Sequence, residues 1–281
     1  MGRAIRRECA VTDLTIMHLS DVHFGAAAYA VTPAELLSKA TAVAKGLVDP
    51  AGRFVVALTG DVTTKGSPAY YEEAARGIER HLLAALDPDQ VLVCPGNHDI
   101  TGVAPAYFQD FNEFAFRLTN DNRQVFTPER TVARVDLGDY SFLMVNSSYH
   151  GDHRRGEVQL AHLRRAMSDS RPNPIILLHH SPFSSEYGGH ALVNAYEFLS
   201  LAVRNRVAGI LHGHVHFEQV LTIGSRPTAV VGSGSLLFPP APNHNNQFTV
   251  IQLSAGGVER AVAAKYDGDR GDFTLVETEF S

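Results

Sequence analysis

The chain has 281 residues, 44% hydrophobic and 19% charged, enough apolar material for a packed α/β core and too little charge for a disordered chain. A net charge of -6 and a pI near 6.1 argue against bulk binding to nucleic acid or to an anionic membrane. The two cysteines, Cys9 and Cys94, make no disulfide framework and suggest a reducing compartment. No run reaches the roughly 20 apolar residues of a membrane span. The basic start (Arg3, Arg6, Arg7) is not followed by the apolar stretch of a secretory signal, so the expectation is a soluble cytoplasmic protein.

Residues 14–19 read as a first strand that delivers Asp21 and His23 at its end. Thr32-Pro33-Ala34-Glu35 is a helix start, with Thr as cap and Pro in the first turn, and the helix is expected to run to about Leu47. Residues 54–58 form a second strand ending at Gly60-Asp61. Ser67-Pro68 opens a second helix, with Tyr71, Ala74, Ala75, Ile78 and Leu82 at helical spacing. Residues 91–94 are a third strand, stopped by Pro95-Gly96. This βαβαβ order implies parallel strands with right-handed crossovers.

The rhythm breaks at 101–130, where 106–118 is aromatic and helical and 119–129 is polar. This insertion is either a lid over the site or a plain packing helix. Strands at 132–137 and 140–145 follow, joined by a Gly138-Asp139 hairpin turn. A loop at 148–155 leads to a helix from about 157 to 167, a strand at 174–178 ending at His179, a helix at 192–203 and a strand at 207–211. Beyond Gly213-His214-Val215-His216 the chain reads almost entirely as strand, at 217–223, 227–231, 247–253, 258–265 and 272–278. No repeat, low-complexity tract or linker interrupts 1–281, so one domain is expected. The late strands and the insertion could form a homodimer interface.

Five strand ends carry groups able to hold a cation: Asp21-Val22-His23, Gly60-Asp61, Asn97-His98-Asp99, His179-His180 and His214-Val215-His216. Carboxylate, carboxamide and imidazole without thiolate suit Mn, Fe, Zn or similar divalent ions rather than a structural Cys-type zinc site. If the first strand continued through Asp21 and His23, their spacing of two would put them on one face. His98 is left free for proton transfer, with Asp99 placed to hold its tautomer. Of the His179-His180 pair, His179 is the favoured ligand because it directly follows the apolar run.

In this order the five blocks resemble the signature of the calcineurin-like metallophosphoesterase superfamily. The flanks 17–25 and 58–63 look most like its bacterial cyclic-nucleotide phosphodiesterase branch. The resemblance implies a four-layer α-β-β-α sandwich of two mixed β-sheets flanked by helices, with the site at the C-terminal ends of the strands. It implies that Asp21, His23 and His216 hold one metal, that Asn97, His179 and His214 hold the other, and that Asp61 bridges them. His98 would assist phosphate binding or leaving-group protonation, oriented by Asp99. Two such metals about 3.5–4 Å apart clamp phosphate oxygens and make a hydroxide from bound water that attacks phosphorus in line.

The expected activity is a dimetal phosphodiesterase acting on a small phosphodiester such as a cyclic nucleotide. The alternatives are a phosphomonoesterase or protein phosphatase, and a non-catalytic scaffold. Phosphatases of the superfamily carry arginines that grip a phosphate dianion, whereas here Val62-Thr63 and Ile100-Thr101 occupy the corresponding places. Ser181 stands where many relatives read Pro after the His pair. Asn146, His150, His153, His190 and His244 read as surface or packing residues. Gly232-Ser233-Gly234-Ser235 reads as a tight turn near the site rather than a phosphate cradle, because it lacks the lysine of a P-loop.

Overall fold

The computed structural model describes residues 13–29, 31–102, 105–183, 191–238, 245–254 and 257–280. Cys9, the N-terminal arginines, His190 and His244 lie outside the described residues. Among the described residues no helix is long and apolar enough to cross a membrane.

The first third of the chain is β1 (Leu14–Leu19), α1 (Pro33–Leu47), β2 (Arg53–Thr59), α2 (Pro68–Ile78), a π-helical turn (Glu79–Leu83), the single turn α3 (Ala84–Leu86) and β3 (Gln90–Cys94). Both helix starts form as their sequences dictate: Thr32 Oγ1 accepts from the Glu35 N–H at 3.3 Å and Ser67 Oγ from the Tyr70 N–H at 3.3 Å. The second helix widens into the π turn yet keeps Leu82 fully buried, as its spacing required.

The insertion contains α4 (Gln109–Thr119), which turns Phe111, Phe114, Ala115 and Leu118 inward. Phe111 and Phe114 pack on Tyr71 of α2, with ring centroids 6.4 and 5.3 Å away. Just beyond it, Gln124 closes the free edge of β3: its Oε1 accepts from Val93 N–H at 2.9 Å and its Nε2 donates to Val91 O at 2.9 Å. The segment thus packs on α2 and along the edge of the sheet.

The remaining elements are β4 (Val132–Leu137), β5 (Tyr140–Val145), α5 (Leu160–Ser168), β6 (Ile175–Leu178), α6 (Ala195–Arg204), β7 (Gly209–His212), β8 (Gln219–Ile223), β9 (Thr228–Gly232), β10 (Gln247–Ser254), β11 (Gly257–Asp267) and β12 (Asp272–Glu279). Two helices start later than their apolar spacing suggests, because tertiary partners claim the backbone first. Glu157 N–H donates to Ser147 O and Val158 N–H to Asn194 Oδ1, while Leu192 N–H donates to Ser181 O and Val193 N–H to Gly156 O.

The strands form two six-stranded mixed sheets in the orders β12-β11-β10-β1-β2-β3 and β4-β5-β6-β7-β9-β8. In the first, β1, β2 and β3 are parallel and β10, β11 and β12 add on antiparallel; in the second, β5, β6, β7 and β9 are parallel between antiparallel edges. The period of two shows why the sheets stack face to face. Phe142, Met144, Ile175, Leu177, Leu211 and Val231 join a core with the first sheet. Their alternates Leu143, Val145, Ile176, Leu178, Ile210 and Val230 pack instead with Leu163 of α5 and Phe198 of α6. Strands covered on both faces read as unbroken apolar runs. The fold is thus two mixed sheets flanked by helices, with the loops at the C-terminal ends of β1, β2, β3, β6 and β7 meeting at one end.

Candidate metal centre

Those five loops converge on the Asp61 carboxylate. Its Oδ2 lies 3.2 Å from His179 Nε2 on one side and 4.0 Å from His23 Nε2 on the other. Its Oδ1 accepts from the His98 N–H at 2.8 Å. Asp21, His23 and His216 form one group whose ligand atoms all lie within 4.8 Å of one another, and Asp61, His179 and His214 form a second. Asn97 joins the second group, its Oδ1 3.0 Å from His179 Nε2. The structure thus brings together all seven residues singled out as ligands.

The backbone that achieves this is unusual. Asp21, His23, Asp61, His214 and His216 all have positive φ, between 49° and 73°. β1 ends at Leu19, so Asp21 and His23 do not share a face through strand pleating; two left-handed residues fold the loop back instead. Strain of this sort is kept only where the surroundings over-determine it. The supports are on view: Asp21 N–H donates to Gly60 O at 3.1 Å and His23 N–H to Asp61 O at 3.0 Å. Ser235 Oγ donates to Asp21 O at 2.6 Å, which puts the Gly232–Ser235 turn beside the site. Two glycines let the loops touch. A Cβ on Gly96 would stand 2.2 Å from Asp61 Oδ1, and one on Gly213 1.7 Å from Ser20 Oγ.

Several of the candidate ligands are aimed by further partners. His179 Nδ1 donates to Thr59 O at 2.9 Å, which leaves Nε2 for the cluster. Ser20 Oγ lies 2.7 Å from Asp21 Oδ2 and 3.0 Å from Thr59 O, tying the two groups together. The His214 N–H also donates to Asp21 Oδ2, at 2.8 Å. His98 Nδ1 donates to Thr64 O at 2.8 Å, and its Nε2 stands 4.0 Å from Asp61 Oδ2.

Asp99 does not orient His98. Its carboxylate turns into the core, where Oδ1 accepts from Tyr71 OH at 2.8 Å and Oδ2 from Gly96 N–H at 2.9 Å and Val62 N–H at 3.4 Å. It ties together the loops carrying Asn97 and Asp61, and the Thr64 carbonyl takes the role expected of it at His98. His180 packs against the cluster, its ring centroid 4.5 Å from that of His214, while its Nδ1 is 2.9 Å from Ser147 Oγ. His153, read as a surface or packing residue, instead touches the site: its Nδ1 is 2.9 Å from Asn97 O. Among the other surface candidates, Asn146 is buried with Oδ1 accepting from Ser148 N–H, and half-buried His150 accepts from Asp152 N–H at 3.0 Å.

The electrostatics are those of a cation site. Burial opposes ionisation of Asp61, yet the charges of His179, His98 and His23 hold its carboxyl below the usual range; Asp21 is held down against burial by His216 and His179. Burial would lower His179 too, but Asp61 and Asp21 raise it to about 10. His23 goes the other way, lowered to about 4 chiefly by burial. Asp99 is raised to about 6 by burial and by the nearby Asp61 charge. Behind the cluster, buried His18 and His212 are lowered to about 3 and about 4, each mainly by burial, and stay neutral.

The donor set fits two divalent cations. Asp21 Oδ1 is buried with no hydrogen-bond donor, although His216 Nε2 is 3.2 Å away. Imidazole nitrogens crowd one another at 3.1 Å (His179 to His214) and 3.3 Å (His23 to His216). Lone pairs gathered at such distances are satisfied by a shared cation.

The calcineurin-like phosphoesterase profile matches residues 14–218, and the chain belongs to that family: it is a phosphoric ester hydrolase of a class that works with two divalent metals. No curated protein matches it in sequence. Among solved structures, a dimetal phosphatase from Danio rerio is similar at 13% identity and a TM-score of 0.61, covering 96% of this chain and 100% of that one. GAP50, the anchor in the inner membrane complex of Plasmodium, is similar at 13% identity and a TM-score of 0.54, covering 96% of this chain and 90% of that one. At such identity these two share the fold.

Proposed function

We propose that the chain is a phosphodiesterase that hydrolyses a small phosphodiester, of cyclic-nucleotide or nucleotide-like type, at the Asp61 cluster. The observation that carries the reading is Asp61 Oδ2 standing between the two ligand groups, 3.2 Å from His179 and 4.0 Å from His23. In this reading Asp21, His23 and His216 hold one metal, Asn97, His179 and His214 hold the other, and Asp61 serves both. Two divalent cations bound there would supply Lewis-acid activation of the phosphoryl group and of water.

The chain's own contribution is positioning and proton transfer. With Nδ1–H held by Thr64 O, His98 exchanges its proton at Nε2, the atom facing the cluster. The oxygen of water bonds to phosphorus as the bond to the leaving oxygen breaks; His98, carrying a proton on both ring nitrogens, gives the Nε2 proton to that oxygen, and the proton lost by water restores it. The products are a phosphomonoester and an alcohol. Preference for a diester is supported by Val62-Thr63, both buried, and Ile100-Thr101, which put no arginine where a dianion would need one. A cytoplasmic setting accords with the free, buried thiol of Cys94.

The test is a paired assay of manganese-loaded protein on bis(4-nitrophenyl) phosphate and 4-nitrophenyl phosphate, followed by 3′,5′- and 2′,3′-cyclic nucleotides. A strong diester preference is expected; a monoester preference would replace this reading with a phosphomonoesterase.

A further inference from the structure

The loop between β5 and α5 runs along the Asn97–His179–His214 side of the site. It is anchored at both ends against His180: Ser147 Oγ meets the His180 ring at 2.9 Å, and a Cβ on Gly156 would come within 2.3 Å of that ring. Between these anchors His153 reaches the backbone of Asn97, Nδ1 to O, at 2.9 Å. A carbonyl oxygen only accepts, so Nδ1 carries the proton and the neutral ring keeps its lone pair at Nε2.

His98 is held in the same tautomer by Thr64 O. The site mouth therefore has two imidazoles pinned to backbone through Nδ1, His98 beside Asp61 and His153 beside Asn97. His153 is exposed, and among the described residues no other hydrogen bond engages it. A solvent-facing ring fixed to the backbone of Asn97, whose own Oδ1 faces His179 at 3.0 Å, is placed to meet what binds there.

We propose that His153 is a specificity-determining residue whose Nε2 accepts a hydrogen bond from a substrate hydroxyl adjacent to the phosphate. The complementary substrates are phosphoesters bearing a neighbouring free hydroxyl, as ribose and glycerol esters do. A lone pair at Nε2 is repelled by a phosphoryl oxygen and gains nothing from an alkyl or aryl group, whereas a hydroxyl completes it. The inference rests on the phosphodiesterase reading for the phosphate's place, and it names the class of alcohol attached.

The test is calorimetric binding to the manganese-loaded full chain of two pairs that each differ by one hydroxyl. One pair is glycerol 3-phosphate and 3-hydroxypropyl phosphate; the other is adenosine 3′-monophosphate and its 2′-deoxy form. Wild type is expected to favour the hydroxyl-bearing member of at least one pair by about 3- to 10-fold, the worth of one neutral hydrogen bond. The pair that discriminates tells glycerol from ribose. His153→Phe should bring that ratio to about one with two manganese ions retained, and His153→Gln, which keeps an acceptor, should restore part of it. No discrimination by wild type in either pair, or an unchanged ratio in His153→Phe, overturns the proposal. So does metal loss in both variants, which would make His153 a brace for Asn97. Binding needs no turnover, so discrimination by a protein that cleaves no diester would sink the phosphodiesterase reading alone.

Discussion

The Thr59 carbonyl accepts the Nδ1 proton of His179 at 2.9 Å and thereby points Nε2 at Asn97, His214 and Asp61, all between 3.0 and 3.2 Å away. Ser20 Oγ donates to Asp21 Oδ2 at 2.7 Å and sits 3.0 Å from the same carbonyl, so the two ligand groups are aimed from one place in the backbone. Ser20→Ala should weaken metal binding by about 10- to 100-fold, the usual effect of removing a partner that orients ligands. Metal titration of the two proteins checks this, and an unchanged affinity would contradict the role.

His98→Ala should lower kcat on a diester by about 100-fold or more while two metals stay bound, as the loss of a proton donor does. Asp99→Asn should cost far less in kcat, because Asp99 braces Gly96, Val62 and Tyr71 rather than His98. Equal losses in the two variants, measured at equal metal content, would restore Asp99 as the partner of His98.

Asp99 also has a signature in stability. Its folded pKa is about 6 against an ordinary 3.8, so between those values the folded metal-free protein holds a proton that the unfolded chain has lost. The unfolding free energy attributable to this group therefore falls as pH rises from 4 to 6. The advantage of Asp99→Asn over wild type in urea denaturation should grow across that window and then level off. A difference flat with pH would show that Asp99 ionises normally.

Metal binding should release protons. Without metal His179 stays protonated up to about pH 10, held by Asp61 and Asp21 against its burial, and His216 is raised too. Below that pH a cation must displace the His179 proton, so affinity should climb with pH from 7 to 9 and about one proton or more should appear per loaded site. Calorimetry in two buffers of different ionisation enthalpy measures the count. Gly213→Ala, whose Cβ would meet Ser20 Oγ at 1.7 Å and Asp21 Oδ2 at 2.3 Å, should remove the His216 share of this release by spoiling the first group and leave the His179 share.

The candidate ligands and their order were legible because each sits where an apolar run stops, and the strands β1, β2, β3, β6 and β7 end there as read. What aims His179 and His98 was not legible, because it is backbone: the carbonyls of Thr59 and Thr64 carry no side-chain signal. The left-handed φ of Asp21, His23, Asp61, His214 and His216 was hidden too, since nothing in Asp-x-His distinguishes a pleat from a folded-back loop. Asp99 was misplaced by adjacency: it follows His98 in sequence, but its carboxylate lies against Tyr71. His153 had no motif, and its contact with Asn97 spans 56 positions. The pairing of β10 with β1 and of β9 with β7 likewise depends on tertiary register that strand periodicity alone does not encode.

Anomalous scattering from a crystal of the manganese-loaded protein tests the central claim most directly. Two peaks about 3.5–4 Å apart are expected. One should lie against Asp21, His23 and His216, the other against Asn97, His179 and His214, with Asp61 between them. A single peak, or a pair seated on other residues, would contradict the assignment of this cluster as a dimetal centre.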